Sequence, residues 1–258
     1  MTGFGTLLVK ELREQLRTYR LPLTLIVFVL FGISSPALAR FTKELLNLLG
    51  TQATGGIQIV LPDPTAAEAV GQLIKNMGQF GILLAILLAM GMVATERERG
   101  TAAFVLTKPA SRSAFLLAKF IALGVTLAVS VAAGCALGWI YTTLLFADSS
   151  LPIAGFASLA VLLWLTIMAY VSLTLLGSTL THSAAGAAGF GFLALIVTAI
   201  LSTLPTIGQL MPTSLNDPAA KLALGLPAGD VLASLIGCLC FVLIPFGIAV
   251  LSFRRQEL

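Results

Sequence analysis

Long runs of apolar residues alternate with short polar segments along this chain. Six of the runs reach the length of about 20 helical residues that is needed to cross a bilayer core of about 30 Å. No Asp, Glu, Lys or Arg occurs between residues 149 and 216. The pattern predicts six transmembrane helices, at Leu21–Ala39, Met77–Ala94, Phe115–Phe146, Ile153–Leu180, Ala184–Leu204 and Val231–Phe253.

The composition supports this interpretation. Hydrophobic residues make up 58% of the chain, charged residues only 10%, and the mean hydropathy is +1.02. A soluble domain carries about 25% charged residues, so this chain lacks the polar groups to cover a water-exposed surface. We therefore expect an all-α membrane protein that forms one transmembrane domain over residues 1–258.

The segment before the first span, residues 1–20, has the pattern of an amphipathic helix. Apolar side chains recur at helical spacing at Phe4, Leu7, Leu8, Leu12, Leu16 and Tyr19. Basic side chains occupy other faces, at Lys10, Arg13, Arg17 and Arg20. Such a helix is expected to lie at the membrane interface with its cations on anionic lipid. A cleaved signal peptide is the alternative, because Ala37-Leu38-Ala39 resembles a cleavage site.

The distribution of Lys and Arg predicts the orientation in the membrane. With the N-terminus in the cytoplasm, six spans return the C-terminus to the same side. The cytoplasmic segments then hold Lys10, Arg13, Arg17, Arg20, Arg97, Arg99, Lys108, Arg112, Lys119, Arg254 and Arg255, and the other side holds Arg40, Lys43, Lys75 and Lys221. Positive charge accumulates on the cytoplasmic side, so both termini are expected there, in a prokaryotic plasma (inner) membrane.

Two segments, 40–76 and 205–230, are then extracytoplasmic. In the first, Thr65 and Glu68 match a capping box that opens a helix leading into the second span. In the second, Asn216 begins a helix that tolerates Pro218 in its first turn. These segments either form a small cap over the bundle or are loops with incidental helical turns.

Little in the sequence suggests catalysis. The single histidine, His182, has no acidic residue near it in sequence, and no metal or cofactor site is expected. The spans lack acidic residues in their middles, which disfavours the alternative of an ion-coupled secondary transporter or a channel-like protein. A phosphate-binding loop contains Gly-Lys, a dipeptide that does not occur here. ATP and magnesium, if used, are expected on a separate chain.

A polar segment, the coupling loop (residues 95–114), joins the second and third spans. Gly100 interrupts the helix, Thr101 is a cap for a short apolar helix over residues 102–106, and Pro109 ends it. Ser111 or Ser113 is expected to cap the third span, whose inner end Arg112 and Lys119 anchor. The segment is either a docking element for a partner or a basic loop that only sets topology.

This loop resembles the signature of ABC-2 type permeases, the six-span membrane subunits of ABC exporters. The residues that carry the resemblance are Glu96-Arg97-Glu98-Arg99-Gly100-Thr101, Leu106, Pro109, Ser111-Arg112 and Lys119. The amphipathic N-terminal helix and the six spans extend it over the whole chain. The resemblance implies the fold of a type V exporter. Within the family, the general pattern is similar to the permease of the nitrous-oxide-reductase maturation system.

The resemblance implies a permease homodimer in lipid that binds two copies of an ABC ATPase subunit, and no nucleic acid. The coupling loop would then carry the helix that sits in a groove of the ATPase. The implied coupling residues are Glu96, Arg97, Glu98, Gly100, Thr101, Phe104, Leu106, Pro109 and Arg112. The two glutamates would pair with basic groups, and Phe104 and Leu106 would fill the groove.

The resemblance also implies dimerisation through the first and fifth spans. The fifth opens on a run of small residues, Ser183 to Gly189, which permits close helix approach. Packing within one chain explains the run equally well. The apolar spans suit a lipid-like, amphipathic or peptide cargo, or a mechanical role without one.

Overall fold

The computed structural model describes residues 4–53, 63–95, 112–146, 150–181 and 183–255. The ordered elements within these ranges are helical. The α-helices are α1 Phe4–Arg17, α2 Arg20–Ala53, α3 Ala66–Ala89, α4 Arg112–Leu145, α5 Ile153–Leu180, α6 Ala184–Leu201, α7 Asn216–Ala223 and α8 Leu232–Arg255. Two short 3-10 turns, Gly208–Leu210 and Pro212–Leu215, precede α7.

Six of these helices, α2 to α6 and α8, are long and apolar enough to cross a membrane, which confirms the predicted number of spans. α1, the segment after α3, the start of α4 and the end of α8 lie together at one end of the bundle, which we call the terminal end. The opposite end, which carries the turns before α7, is called the distal end.

Two helices extend well beyond the predicted spans. α2 continues from Arg20 to Ala53, although only Arg20–Glu44 is apolar enough to cross a membrane. α3 begins at Ala66, where the predicted capping box is confirmed: the Thr65 hydroxyl accepts from the Glu68 amide, and the Glu68 carboxylate accepts from the Thr65 amide. Charged residues end the part of a helix that can lie in the membrane, but they do not end the helix itself. Its backbone hydrogen bonds also form where the helix is surrounded by water.

The ends of the other predicted spans shift by only a few residues. The fifth span was predicted to end at Leu204, but α6 ends at Leu201. α4 begins at Arg112, which places Ser113 inside its first turn and not at the cap. Pro245 interrupts neither the helical course of α8 nor its packing, since α8 is continuous and Pro245 is buried.

The central helix of the bundle is α5. It is buried along most of its length and packs against α3, α4, α6, α7 and α8. α2 and α4 cross where Gly32 and Gly134 meet, and a Cβ on Gly134 would lie only 2.6 Å from the Phe28 carbonyl oxygen. Glycine at this position lets two membrane helices approach backbone to backbone.

The segment before α8 is part of the core. Pro212, Leu215, Ala219 and Ala223 are buried, and the Pro212 carbonyl accepts a hydrogen bond of 3.1 Å from Thr166 of α5. Of the two interpretations left open for this segment, the structure supports a packed cap over residues 211–223.

Candidate coupling site

The structure describes the coupling loop only at its two ends, which we call its roots. The first root is the segment from the end of α3 to Thr95, and the second is the start of α4 at Arg112. Residues 96–111 lie outside the described residues. They contain most of the predicted coupling set: Glu96, Arg97, Glu98, Gly100, Thr101, Phe104, Leu106 and Pro109. His182 lies outside them as well. The contacts that hold the two roots define the candidate site.

The first root is a turn held by a serine from another span. α3 ends at Ala89, five residues before the predicted end, and residues 90–93 form a turn. The Ser178 hydroxyl of α5 donates to the Met90 carbonyl at 2.8 Å. It also accepts from the amides of Val93 and Ala94, at 3.2 and 3.1 Å. These bonds satisfy the Met90 carbonyl, one of the groups that a helix C-terminus leaves without partners, and two amides of the segment that follows.

The second root is held by α8. The guanidinium group of Arg112 donates to the Arg254 carbonyl at 3.3 Å, close to where α8 ends. A cation at this place is favourable, because the carbonyls at a helix C-terminus carry partial negative charge. One turn further along α4, the ring of Phe115 stacks on Phe253, with 6.0 Å between the centroids. Both rings are buried.

A buried ion pair joins the same part of α4 to α1. The Lys119 ammonium group lies 3.1 Å from Glu11 Oε2, and Lys10 lies 3.5 Å from Glu11 Oε1. The ammonium group also lies 5.0 Å from the centroid of the Phe115 ring. Lys119 was predicted to anchor the end of the third span at the membrane surface. It is buried instead, because its partner comes from α1.

The face of α1 that packs on the bundle also differs from the predicted one. Leu16 and Tyr19 were placed on the apolar face but are exposed, while Glu11 and Gln15 are buried. Tyr19 adopts a left-handed backbone conformation with φ of 58° at the joint between α1 and α2. Residues other than glycine rarely adopt this conformation, which here separates α1 from α2.

Three of the four predicted interfacial cations share the outer face of α1. Lys10, Arg13 and Arg17 line a groove of about 840 Å³, together with the described residues Gly5, Thr6, Val9, Glu14 and Thr18. Arg20, the fourth, begins α2 and is partly buried. The face offers positive charge beside exposed apolar side chains, a combination suited to lipid headgroups.

The small residues of α6 lie in two different environments. Ala187 is buried, and a Cβ on Gly191 would lie 2.6 Å from the Thr174 hydroxyl of α5, so these positions pack within the chain. Gly189 has nothing within 4 Å of an added Cβ among the described residues. Packing within the chain thus explains part of the run, and dimerisation through α6 stays a prediction.

Sequence reasoning missed Ser178, Glu11 and Gln15. A serine near the end of an apolar helix carries no signal of its own, since most such hydroxyls bond to their own helix. Lys119 did carry one, because a lysine inside an apolar run, here its fifth residue, requires either the interface or a buried acidic partner.

Comparison with known proteins agrees with the six-helix bundle. The sequence profile of the family described as "ABC-2 family transporter protein" matches residues 6–258. The chain is also 28% identical over 255 residues to the "Uncharacterized transmembrane protein YxlG" of Bacillus subtilis (strain 168). That match covers 97% of each protein.

Proposed function

Because this chain belongs to the ABC-2 family of transporter proteins, we propose that it is the permease of an exporter in which a separate ATPase drives the coupling loop. Membership of the family makes it a membrane permease component and implies association with an ABC ATPase. Export as the direction, and the coupling loop as the docking element, are our proposal.

The observation that carries the proposal is the attachment of both loop roots to spans other than their own. Ala94 is bound to α5 through Ser178, and Arg112 is bound to α8. Lys119, two turns into α4, is bound to α1. A displacement of the loop therefore acts on α1, α5 and α8 as well as on α3 and α4. A loop that only sets topology has no need of these contacts.

The proposed orientation places the terminal end in the cytoplasm. All eleven predicted cytoplasmic cations belong by sequence to the N-terminal segment up to Arg20, the coupling loop, the start of α4 or the end of α8. Positive charge of this kind is retained on the cytoplasmic side during insertion. An ATPase in the cytoplasm would meet the coupling loop there.

The proposed assembly contains two permease chains and two ATPase subunits. We assign the contact between the two permease chains to faces of α2 and α6, both of which expose rows of large apolar side chains. These are Leu23, Ile26 and Leu30 on α2, and Leu193, Ile196 and Ile200 on α6. In the assembly, Glu96 and Glu98 pair with basic groups, and Phe104 and Leu106 enter the ATPase groove.

Co-expression with candidate ABC ATPases tests the proposal. We expect an ATPase to copurify with the chain and to hydrolyse ATP faster in the complex than alone. Glu98→Arg and Gly100→Pro should each reduce this stimulation, because one reverses a contact charge and the other stiffens the turn. Asp217→Arg is the matched charge reversal at the distal end, where Asp217 is exposed and pairs with Lys221. It should leave stimulation unchanged.

The proposal fails if no candidate ATPase binds or is stimulated. It also fails if Glu98→Arg and Gly100→Pro both stimulate the ATPase as strongly as the unmodified chain does. Uptake or efflux driven by an ion gradient without ATP would support a secondary transporter instead.

A further inference from the structure

Ser178 is unusual among the hydroxyl groups of the bundle. Many of the others bond to the carbonyl one turn earlier in their own helix: Thr126 donates to Ala122, and Thr181 donates to Gly177. Ser178 directs its bonds to the turn that ends α3. A hydroxyl has one donor and two acceptor positions, and Ser178 uses all three on that turn.

The contact is also long-range in sequence. Ser178 lies 84 and 85 residues from the amides it accepts from, and it is completely buried. A helix end needs only a local cap to satisfy its backbone groups. A cap supplied by another span additionally fixes where that helix end lies relative to the span.

The span that supplies the cap is bound to the rest of the bundle by further polar contacts. Trp164 donates to the Gly124 carbonyl of α4 at 2.9 Å. The Tyr170 hydroxyl forms a hydrogen bond of 2.9 Å with the Thr198 hydroxyl of α6. Thr166 donates to Pro212 in the distal cap. Because buried hydrogen bonds are costly to break in an apolar medium, α5 and its partners resist separate movement.

We propose that Ser178 is a positioning residue for coupling: its hydroxyl fixes the direction in which the coupling loop leaves α3, so that α5 follows the displacement of the loop. Through Thr166, the same helix carries that displacement to the distal cap. The inference rests on the proposed function and adds to it the residue that links the driven loop to the central span.

The contact itself is tested by hydrogen exchange on the purified full chain, followed by mass spectrometry of the segment 90–95. In Ser178→Ala the amides of Val93 and Ala94 lose their acceptor. Their exchange should therefore accelerate by about tenfold. Ser172→Ala is the matched control, because it removes another buried serine hydroxyl from α5 without touching this turn. Exchange in the segment 90–95 should not change in that variant.

The role in coupling is tested with the ATPase that copurifies with the unmodified chain. Ser178→Ala should lower the stimulated rate of ATP hydrolysis by about tenfold, while Ser172→Ala stays within about twofold. Ser178→Cys leaves no cavity, because sulfur is larger than oxygen, but offers only a weak donor and acceptor, so it should behave like Ser178→Ala. This variant separates the loss of hydrogen bonds from the effect of a cavity.

The outcomes separate the two proposals. If the unmodified chain stimulates no ATPase, the proposed function fails and this inference falls with it. If the unmodified chain stimulates an ATPase and Ser178→Ala does so equally well, only the inference is overturned. Equal losses in Ser178→Ala and Ser172→Ala would also overturn it, because they would show a general loss of stability in α5.

Discussion

The carboxylate of Glu11 in α1 binds the ammonium group of Lys119 in α4 at a distance of 3.1 Å. Only 4% and 6% of the two side chains are exposed. Removing two charges from water is costly, and their attraction offsets that cost only while both partners are present. The pair therefore fixes the position of α1 against α4. The contact lies directly beside the second root of the coupling loop.

Removal of one partner should destabilise the protein. Glu11→Ala leaves the Lys119 ammonium group without its carboxylate in a buried position. We expect the free energy of unfolding to fall by about 3 kcal/mol. The loss is measured as a decrease in the melting temperature of the purified protein in detergent.

Two further variants identify the cause of that loss. Glu11→Leu combined with Lys119→Met should recover most of the stability, because no unpaired charge remains. Asp63→Asn breaks the exposed pair with Lys43 and should change stability by less than about 1 kcal/mol. A melting temperature of Glu11→Ala equal to that of Asp63→Asn would contradict the buried pair.

Gly134 should tolerate no side chain. A Cβ at this position meets the Phe28 carbonyl at 2.6 Å and the end of the Met77 side chain, so Gly134→Val forces α2 away from α4. Overpacking of this kind costs about 1–3 kcal/mol. Thermal unfolding monitored by circular dichroism measures the effect.

Gly189→Val provides the contrast, since nothing described lies within 4 Å of an added Cβ there. Its melting temperature should stay close to that of the unmodified protein. If Gly134→Val and Gly189→Val lowered the melting temperature equally, helix propensity would explain the loss of stability. The contact between α2 and α4 would then not be its cause.

The basic face of α1 should respond to anionic lipid. Arg13 and Arg17 line the outer groove of α1, beside the exposed side chain of Val9. We expect added phosphatidylglycerol to raise the melting temperature of the detergent-purified chain more than phosphatidylcholine does. The double variant Arg13→Gln, Arg17→Gln should lose most of this difference. Arg255→Gln, an exposed cation at the end of α8, should keep it.

The pKa of Asp63 should depend on Lys43. The hydrogen bond of 2.7 Å from Lys43, and its positive charge, hold the pKa of this exposed carboxyl below its ordinary value of 3.8. A lowered pKa means that the contact is present above the ordinary value and is lost as the pH falls through the lowered one. NMR titration of the Asp63 carboxyl carbon should show the pKa rising towards 3.8 in Lys43→Met. No change in that variant would exclude the contact.

Local sequence signals predicted those features that depend on neighbouring residues. The capping box at Thr65 is one case, since donor and acceptor lie three residues apart. The helix start at Asn216 is another, although the burial of the residues after it was left open. The end of α3 at Ala89 could not be predicted, because Ser178 holds the turn from a distant part of the chain.

By itself, the sequence determined that six apolar helices cross a membrane, and its family signature determined the class of protein. Hydropathy over about 20 residues is a local property, so it does not depend on how the helices are arranged. Only the tertiary structure decided that Lys119 is buried against Glu11 and that Ser178 holds the first root of the coupling loop. Both contacts join residues more than 80 positions apart, and the pairing of polar groups inside an apolar bundle depends on which helices come together.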